Sequence, residues 1–88
     1  MSKYKVSART LDISASTTIM PENNFGAWLA VNTGTAAASV LGFPLQPGEG
    51  LDMTTAVPAG SVWDSPIPII INPGAVVRIT RLQYKEIK

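Results

Sequence analysis

The 88-residue chain predicts an all-β fold: a small single-domain antiparallel β-sandwich or flattened barrel of about seven short strands. Three observations carry this. Apolar residues recur at period two in short runs, which suits a pleated surface buried on one side. Pro-then-Gly turns punctuate those runs at Gln46-Pro47-Gly48, Val57-Pro58-Ala59-Gly60 and Asn72-Pro73-Gly74. No segment has a convincing helical period. The turns do not mark a repeat, because their spacings differ and the strands after them share little sequence. The domain is read as residues 1–88, with residues 1–3 and 86–88 as candidate flexible ends.

The first strand covers residues 4–15. Tyr4, Val6 and Ala8 alternate with Lys5, Ser7 and Arg9, and then the apolar set shifts to Leu11, Ile13 and Ala15. That shift predicts a bulge or bend near Arg9-Thr10, in one long bent strand or two short ones. Residues 14–18 are polar, Ile19-Met20 is a short apolar patch, and Pro21-Glu22-Asn23-Asn24 reads as a loop. Residues 26–32 are the next strand, with Ala27, Leu29 and Val31 on one side and Trp28 and Ala30 on the other. Asn32-Thr33-Gly34-Thr35 is a hairpin-turn candidate. The alanine-rich residues 36–41 have helix propensity, but a length of about six residues between turn signals favours a strand. Gly42 ends it, and Phe43-Pro44-Leu45 reads as an apolar link. Residues 49–54 and 61–65 are further short strands, the second with Val62 opposite Trp63.

Residues 66–84 hold the densest apolar run and read as a hairpin closed at Asn72-Pro73-Gly74. Pro73 presets φ at the first central position, and Gly74 accepts the positive φ of a type II turn. Pro68 lacks an amide donor, which predicts an edge strand or a bulge. Ile67, Ile69, Ile71, Val77 and Ile79 are assigned to the core. After Ile79 the phase changes: Leu82 and Tyr84 join the Arg78 face, while Arg81 and Gln83 join the Val77 face. A bulge near Thr80-Arg81 accounts for this, or a second covered face, supplied by another subunit.

Composition restricts function. A chain this short buries only roughly 60–65% of its unfolded surface. It has no cysteine and no histidine, which removes disulfides, thiolate ligands and the commonest general base. Hydrophobic residues make up 45% and charged residues 15%, where a charged fraction of roughly 25% is usual, so apolar surface covered by other chains is expected. No apolar run reaches the roughly 18–20 residues of a membrane helix. The residues after MSKYKVSAR lack the apolar core of a signal peptide, which predicts synthesis in a cytoplasm.

The net charge of +1 hides a segregation. Lys3, Lys5, Arg9, Arg78, Arg81, Lys85 and Lys88 lie at the two ends, and Asp12, Glu22, Glu49, Asp52 and Asp64 lie between. If the terminal strands are neighbours, one region of the surface is basic and the rest acidic. Solvated strand edges, where lysine discourages edge pairing, are one explanation. A docking surface for an acidic partner or an identical subunit is the other.

Enzyme signatures are missing from the sequence: it has no nucleophile elbow, phosphate loop or zinc motif. The nearest carboxylate pair, Glu49 and Asp52, has an odd spacing that puts the two on opposite faces of a strand. Asp12, Glu22 and Asp64 lack the local acidic loop of a calcium site. No catalytic, metal-binding or cofactor-binding residue is assigned, and no cofactor is expected. Trp28 and Trp63 are core residues or, if exposed, anchors for a glycan or protein ligand. Phe25 and Phe43 are expected as core plugs at the sandwich ends. Nucleic acid is disfavoured as a partner, since only Tyr4 and Tyr84 lie among the basic residues and the acidic middle repels phosphate.

Residues 31–53, VNTGTAAASVLGFPLQPGEGLDM, resemble small bacteriophage virion structural proteins: a strand into Asn-Thr-Gly-Thr, a short strand, then Gly-Phe-Pro-Leu and Pro-Gly-Glu-Gly-Leu. Residues 76–84, VVRITRLQY, resemble their closing strand. The resemblance covers about half the chain and rests on the order of turns and strands. It implies a capsid decoration or auxiliary protein, or a head-fibre, neck or tail component, and it carries over no site residue. The expected function is therefore a non-enzymatic structural virion protein. It self-associates, with a trimer as the candidate state, and docks on a larger virion protein such as the major capsid protein. A soluble β-sandwich binding module for a glycan or protein ligand is the alternative. The candidate partner contacts are Arg78, Arg81, Tyr84 and Lys85, with Lys3, Lys5 and Trp63. The expected location is the virion, with synthesis in the host cytoplasm and no membrane partner.

Overall fold

The computed structural model describes the backbone of residues 3–21, 25–54 and 62–87, and the side chains of residues 5–21, 25–54 and 62–83. The strands are β1 (Lys3–Ile13), β2 (Thr17–Ile19), β3 (Phe25–Asn32), β4 (Ala38–Val40), β5 (Phe43–Leu45), β6 (Gly50–Asp52), β7 (Ile67–Ile71) and β8 (Val77–Ile87). They form two four-stranded antiparallel sheets, ordered β1-β8-β3-β6 and β2-β7-β4-β5. The fold is the β-sandwich that the alternating runs predict.

The core lies between the sheets. One side supplies Ile13, Trp28, Ala30, Val77 and Ile79, and the other Ile19, Ala38, Val40, Leu45, Ile67 and Ile69. Ile67, Ile69, Val77 and Ile79 are buried as assigned, and Ile71 packs half-buried against them. Phe25 is buried, but Phe43 is 54% exposed and does not plug the core.

The run from residue 66 to residue 84 is not a hairpin. Its turn forms as expected: the Ala75 amide donates to the Asn72 carbonyl at 2.9 Å, and Gly74 has φ of 93°. However, β7 belongs to one sheet and β8 to the other. A type II turn twists against the strand twist and splays its arms, which suits a corner between layers better than a two-residue hairpin. The turn candidate at residues 32–35 likewise joins β3 to β4 across the layers. The two corners touch: the Thr33 amide donates to the Val76 carbonyl at 2.7 Å, and the Thr35 amide to the Gly74 carbonyl at 2.9 Å. A tight hairpin forms where the sequence reads as a link, between β4 and β5, with Leu41 at φ 52° and Gly42 at φ 82°. Two successive positive φ values are the mirror-image turn that matches strand twist.

Pro68 lies in β7, an internal strand flanked by β2 and β4, not at an edge. Its carbonyl faces β4 and accepts the Leu41 amide at 2.9 Å. A strand residue directs its N–H and C=O to the same side, so the missing donor falls where β4 is already leaving the ladder at Leu41-Gly42. Residues 62–65 are not a strand, and β2 occupies the stretch read as polar. The loop at residues 22–24 and the turn at residues 57–60 lie outside the described residues.

Neither predicted bulge forms in β1 or β8. Their register runs unbroken from Lys3↔Ile87 to Ile13↔Val77. The irregularity in this sheet is in β3, between Phe25 and Trp28, where one extra residue fits against β8.

Candidate protein-interaction surface

The two apolar phase changes lie on the same rung of one ladder, where Arg9 faces Arg81 and Thr10 faces Thr80. On the inner side of the sandwich, Ile13 faces Val77 and Leu11 faces Ile79. Farther out the same face carries Arg9 opposite Arg81, Ser7 opposite Gln83 and Lys5 opposite Lys85. The other face carries Ala8 opposite Leu82 and Val6 opposite Tyr84. Strand alternation thus turns a core-facing ribbon into one with a cationic face and an apolar face, with no bulge needed.

This part of the ribbon stands away from the core. Every β1 side chain from Lys5 to Asp12 is exposed, Val6 by 53%. β3 accompanies β8 only as far as Phe25↔Gln83, and the pairs Val6↔Tyr84, Lys5↔Lys85, Tyr4↔Glu86 and Lys3↔Ile87 lie beyond it. No third strand joins those pairs among the described residues. At about 3.4 Å per residue they add roughly 14 Å of two-stranded ribbon. The Cα dimensions are 46 × 21 × 18 Å, and the radius of gyration of 13.6 Å exceeds the about 12 Å of a compact chain of this length.

The predicted contact residues are only partly brought together. Lys5 and Arg81 lie on the cationic face, and the backbone positions of Lys3 and Lys85 lie beside them. The side chains of Lys3, Tyr84 and Lys85 are outside the described residues. Arg81 is half-buried, with its guanidinium 5.3 Å from the centre of the Phe25 ring, and its Nε has no hydrogen-bond partner among the described residues. Arg78 lies on the opposite face and forks onto Asp12 across the ladder, with Nε 2.9 Å from Oδ1. Trp63 is half-buried, donates from Nε1 to the Ser65 carbonyl at 2.7 Å and meets Trp28 edge-on at 5.4 Å. Trp28 is fully buried. Trp28 is therefore closed to a ligand, while the Trp63 ring is partly covered by it. Arg9, one of the basic end residues but not among the candidate contacts, pairs with Arg81 and shares its face.

The Asp12–Arg78 pair is a local electrostatic lock. The Arg78 hydrogen bond, reinforced by its charge, holds the Asp12 carboxyl below the ordinary carboxylate range. A depressed folded-state pKa gives stability that is present above the unfolded value of about 3.9 and is lost as pH falls through the lower folded value. Asp12 is expected to titrate below that reference in a carboxyl-carbon NMR titration, and Arg78→Gln should return it to the ordinary range. An unmoved Asp12 in the variant would show that the pair contributes nothing.

The other edge of this sheet, β6, is acidic. Glu49 precedes the strand and accepts the Gln46 amide at 2.7 Å through Oε1. Asp52 ends it and accepts the Thr54 amide at 2.8 Å through Oδ1. The Thr54 hydroxyl, and then its amide, lower the Asp52 pKa. Both acids are exposed, and each uses one carboxylate oxygen locally. Among the described residues no group of three or more Asp or Glu side chains converges as a metal site.

Comparison with family models, with curated proteins and with solved structures returned no match.

Proposed function

We propose that the chain is a non-enzymatic structural protein of a virion that self-associates and docks on a capsid or other virion component. The observation that supports this most is the β1–β8 ribbon. A two-stranded ribbon is marginal by itself, yet this one extends past the sandwich with apolar Val6 in water, and Ala8 at its base is exposed too. Such a ribbon gains stability when another chain covers it. The low charge content and the absence of histidine and cysteine suit the same role. The sandwich core supplies the rigid body, and the ribbon supplies the contact.

Particles assembled from the genome that encodes the chain and purified on a density gradient are expected to contain it in a fixed ratio to the major shell protein. Mass spectrometry of chymotryptic peptides would measure this, because the middle of the chain has no trypsin site from Thr10 to Val77. Its absence from intact particles would overturn the reading.

A further inference from the structure

We propose that the cationic face of the β1–β8 ribbon docks on the acidic β6 edge of a second copy of this chain, head to tail. The contact deepens the self-association proposed above and rests on that reading only for the premise that copies associate. Directly opposed like charges destabilise a ladder, and this one sets Arg9 against Arg81 and Lys5 against Lys85. The positions between them on that face are Ser7 and Gln83, and the neighbouring β3 residue is Phe25, so no acid from the ribbon or from β3 intervenes.

The chain's own β6 edge cannot reach the cationic face from within one copy. β6 lies two strand spacings from β8 and three from β1, about 10 and 14 Å, and Asp52, in register with Leu29 and Thr80, stands on the sheet face opposite to Arg81. The charges nevertheless match between copies. Ribbon residues 3–10 and 80–87 hold Lys3, Lys5, Arg9, Arg81 and Lys85 against Glu86, a net of +4. Residues 11–79 hold Asp12, Glu22, Glu49, Asp52 and Asp64 against Arg78, a net of −4. Arg78 is committed to Asp12, and Glu49, just before β6, and Asp52, its last residue, are the acids of the sheet's far edge. A symmetric β1-to-β1 contact would bring Lys3, Lys5 and Arg9 of two copies together. The attractive arrangement pairs unlike patches: made once between two copies it is heterologous and closes into a ring or extends as a filament according to its rotation, and made reciprocally it is a two-fold dimer.

The wild-type chain tests this directly. Copies with light and heavy nitrogen are mixed, treated with a zero-length carbodiimide and mapped by mass spectrometry. Mixed-isotope links from Lys3 or Lys5 to Glu49 or Asp52 are expected. By sedimentation, association is expected at low salt and is weakened by high salt. Lys5→Glu with Arg9→Glu, and separately Glu49→Lys with Asp52→Lys, should each weaken association by about tenfold or more. The four changes combined should restore it, which also shows that the variants fold. The contact is overturned by links confined to single copies, by full association of the Glu49→Lys, Asp52→Lys variant, or by a single-stranded oligonucleotide that displaces the links. A wild-type chain that stays monomeric but co-purifies with particles overturns this contact and the self-association, and leaves the reading of docking on a virion standing. A chain that links as expected but is missing from particles supports the contact and overturns that reading.

Discussion

Replacing Gly34 by alanine is expected to lower the unfolding free energy by about 3 kcal/mol or more. Gly34 lies where the two inter-sheet corners touch. A Cβ there would overlap the Gly74 carbonyl oxygen and the Val76 amide nitrogen, with the Ala75 carbonyl carbon at 2.8 Å. All three are backbone atoms, so no rotamer change relieves the overlap. The corners would have to separate, and with them the bonds from Thr33 to Val76 and from Thr35 to Gly74. Those bonds tie the β3–β4 crossover to the β7–β8 crossover, so the loss reaches both sheets. A domain of this length has only about 4–13 kcal/mol of stability, so the variant should unfold at a much lower urea midpoint. Gly42→Ala is the control. Its φ of 82° is left-handed, unlike that of Gly34, but a Cβ there meets nothing within 4 Å, so it should cost about 1 kcal/mol from backbone conformation alone. Equal midpoints for the two variants would refute steric contact as the reason for glycine at position 34.

The same corners show what local sequence can decide. Asn72-Pro73-Gly74 specifies a type II turn, and the turn forms with the expected bond and the expected positive φ. Which sheet the outgoing strand joins depends on partners far along the chain: β8 pairs with β1 and β3, not with β7. Period-two alternation placed Ile67, Ile69, Val77 and Ile79 in the core because one buried face is a local property of a strand. It could not show why Arg81 shares a face with Ile79. Taken singly, each phase change suggests a bulge. Only the register, Arg9 opposite Arg81, shows that both strands switch on one rung and that the ribbon changes its surroundings, not its geometry. The β4–β5 turn stayed hidden because Leu41 takes a left-handed φ that leucine rarely adopts.

Asn32 carries the second large effect, and the hairpin-turn reading of residues 32–35 did not single it out. It is fully buried at the end of β3. Its Nδ2 donates to the Ala36 carbonyl at 2.7 Å and to the Leu45 carbonyl at 3.0 Å, and its Oδ1 accepts the Gly34 amide at 3.0 Å. One amide thus shapes the corner and ties it to β5 in the other sheet. Asn32→Leu fills the volume but leaves the Leu45 carbonyl buried without this donor, for an expected loss of about 3 kcal/mol. Asn32→Asp tests the hydrogen-bond assignment more sharply. The new carboxylate keeps an acceptor for Gly34 but turns an anionic oxygen toward two carbonyls, so at neutral pH the loss should be at least as large. Burial and those carbonyls would raise the folded-state pKa of the new carboxyl above its unfolded value. The folded state then binds the proton more tightly, so the variant should regain stability as pH falls from neutral toward about 5, above the range where Asp12 and Asp52 begin to titrate. Urea midpoints across that range measure it. A variant whose stability does not rise on acidification would show that Asn32 is not held through its Nδ2 donors.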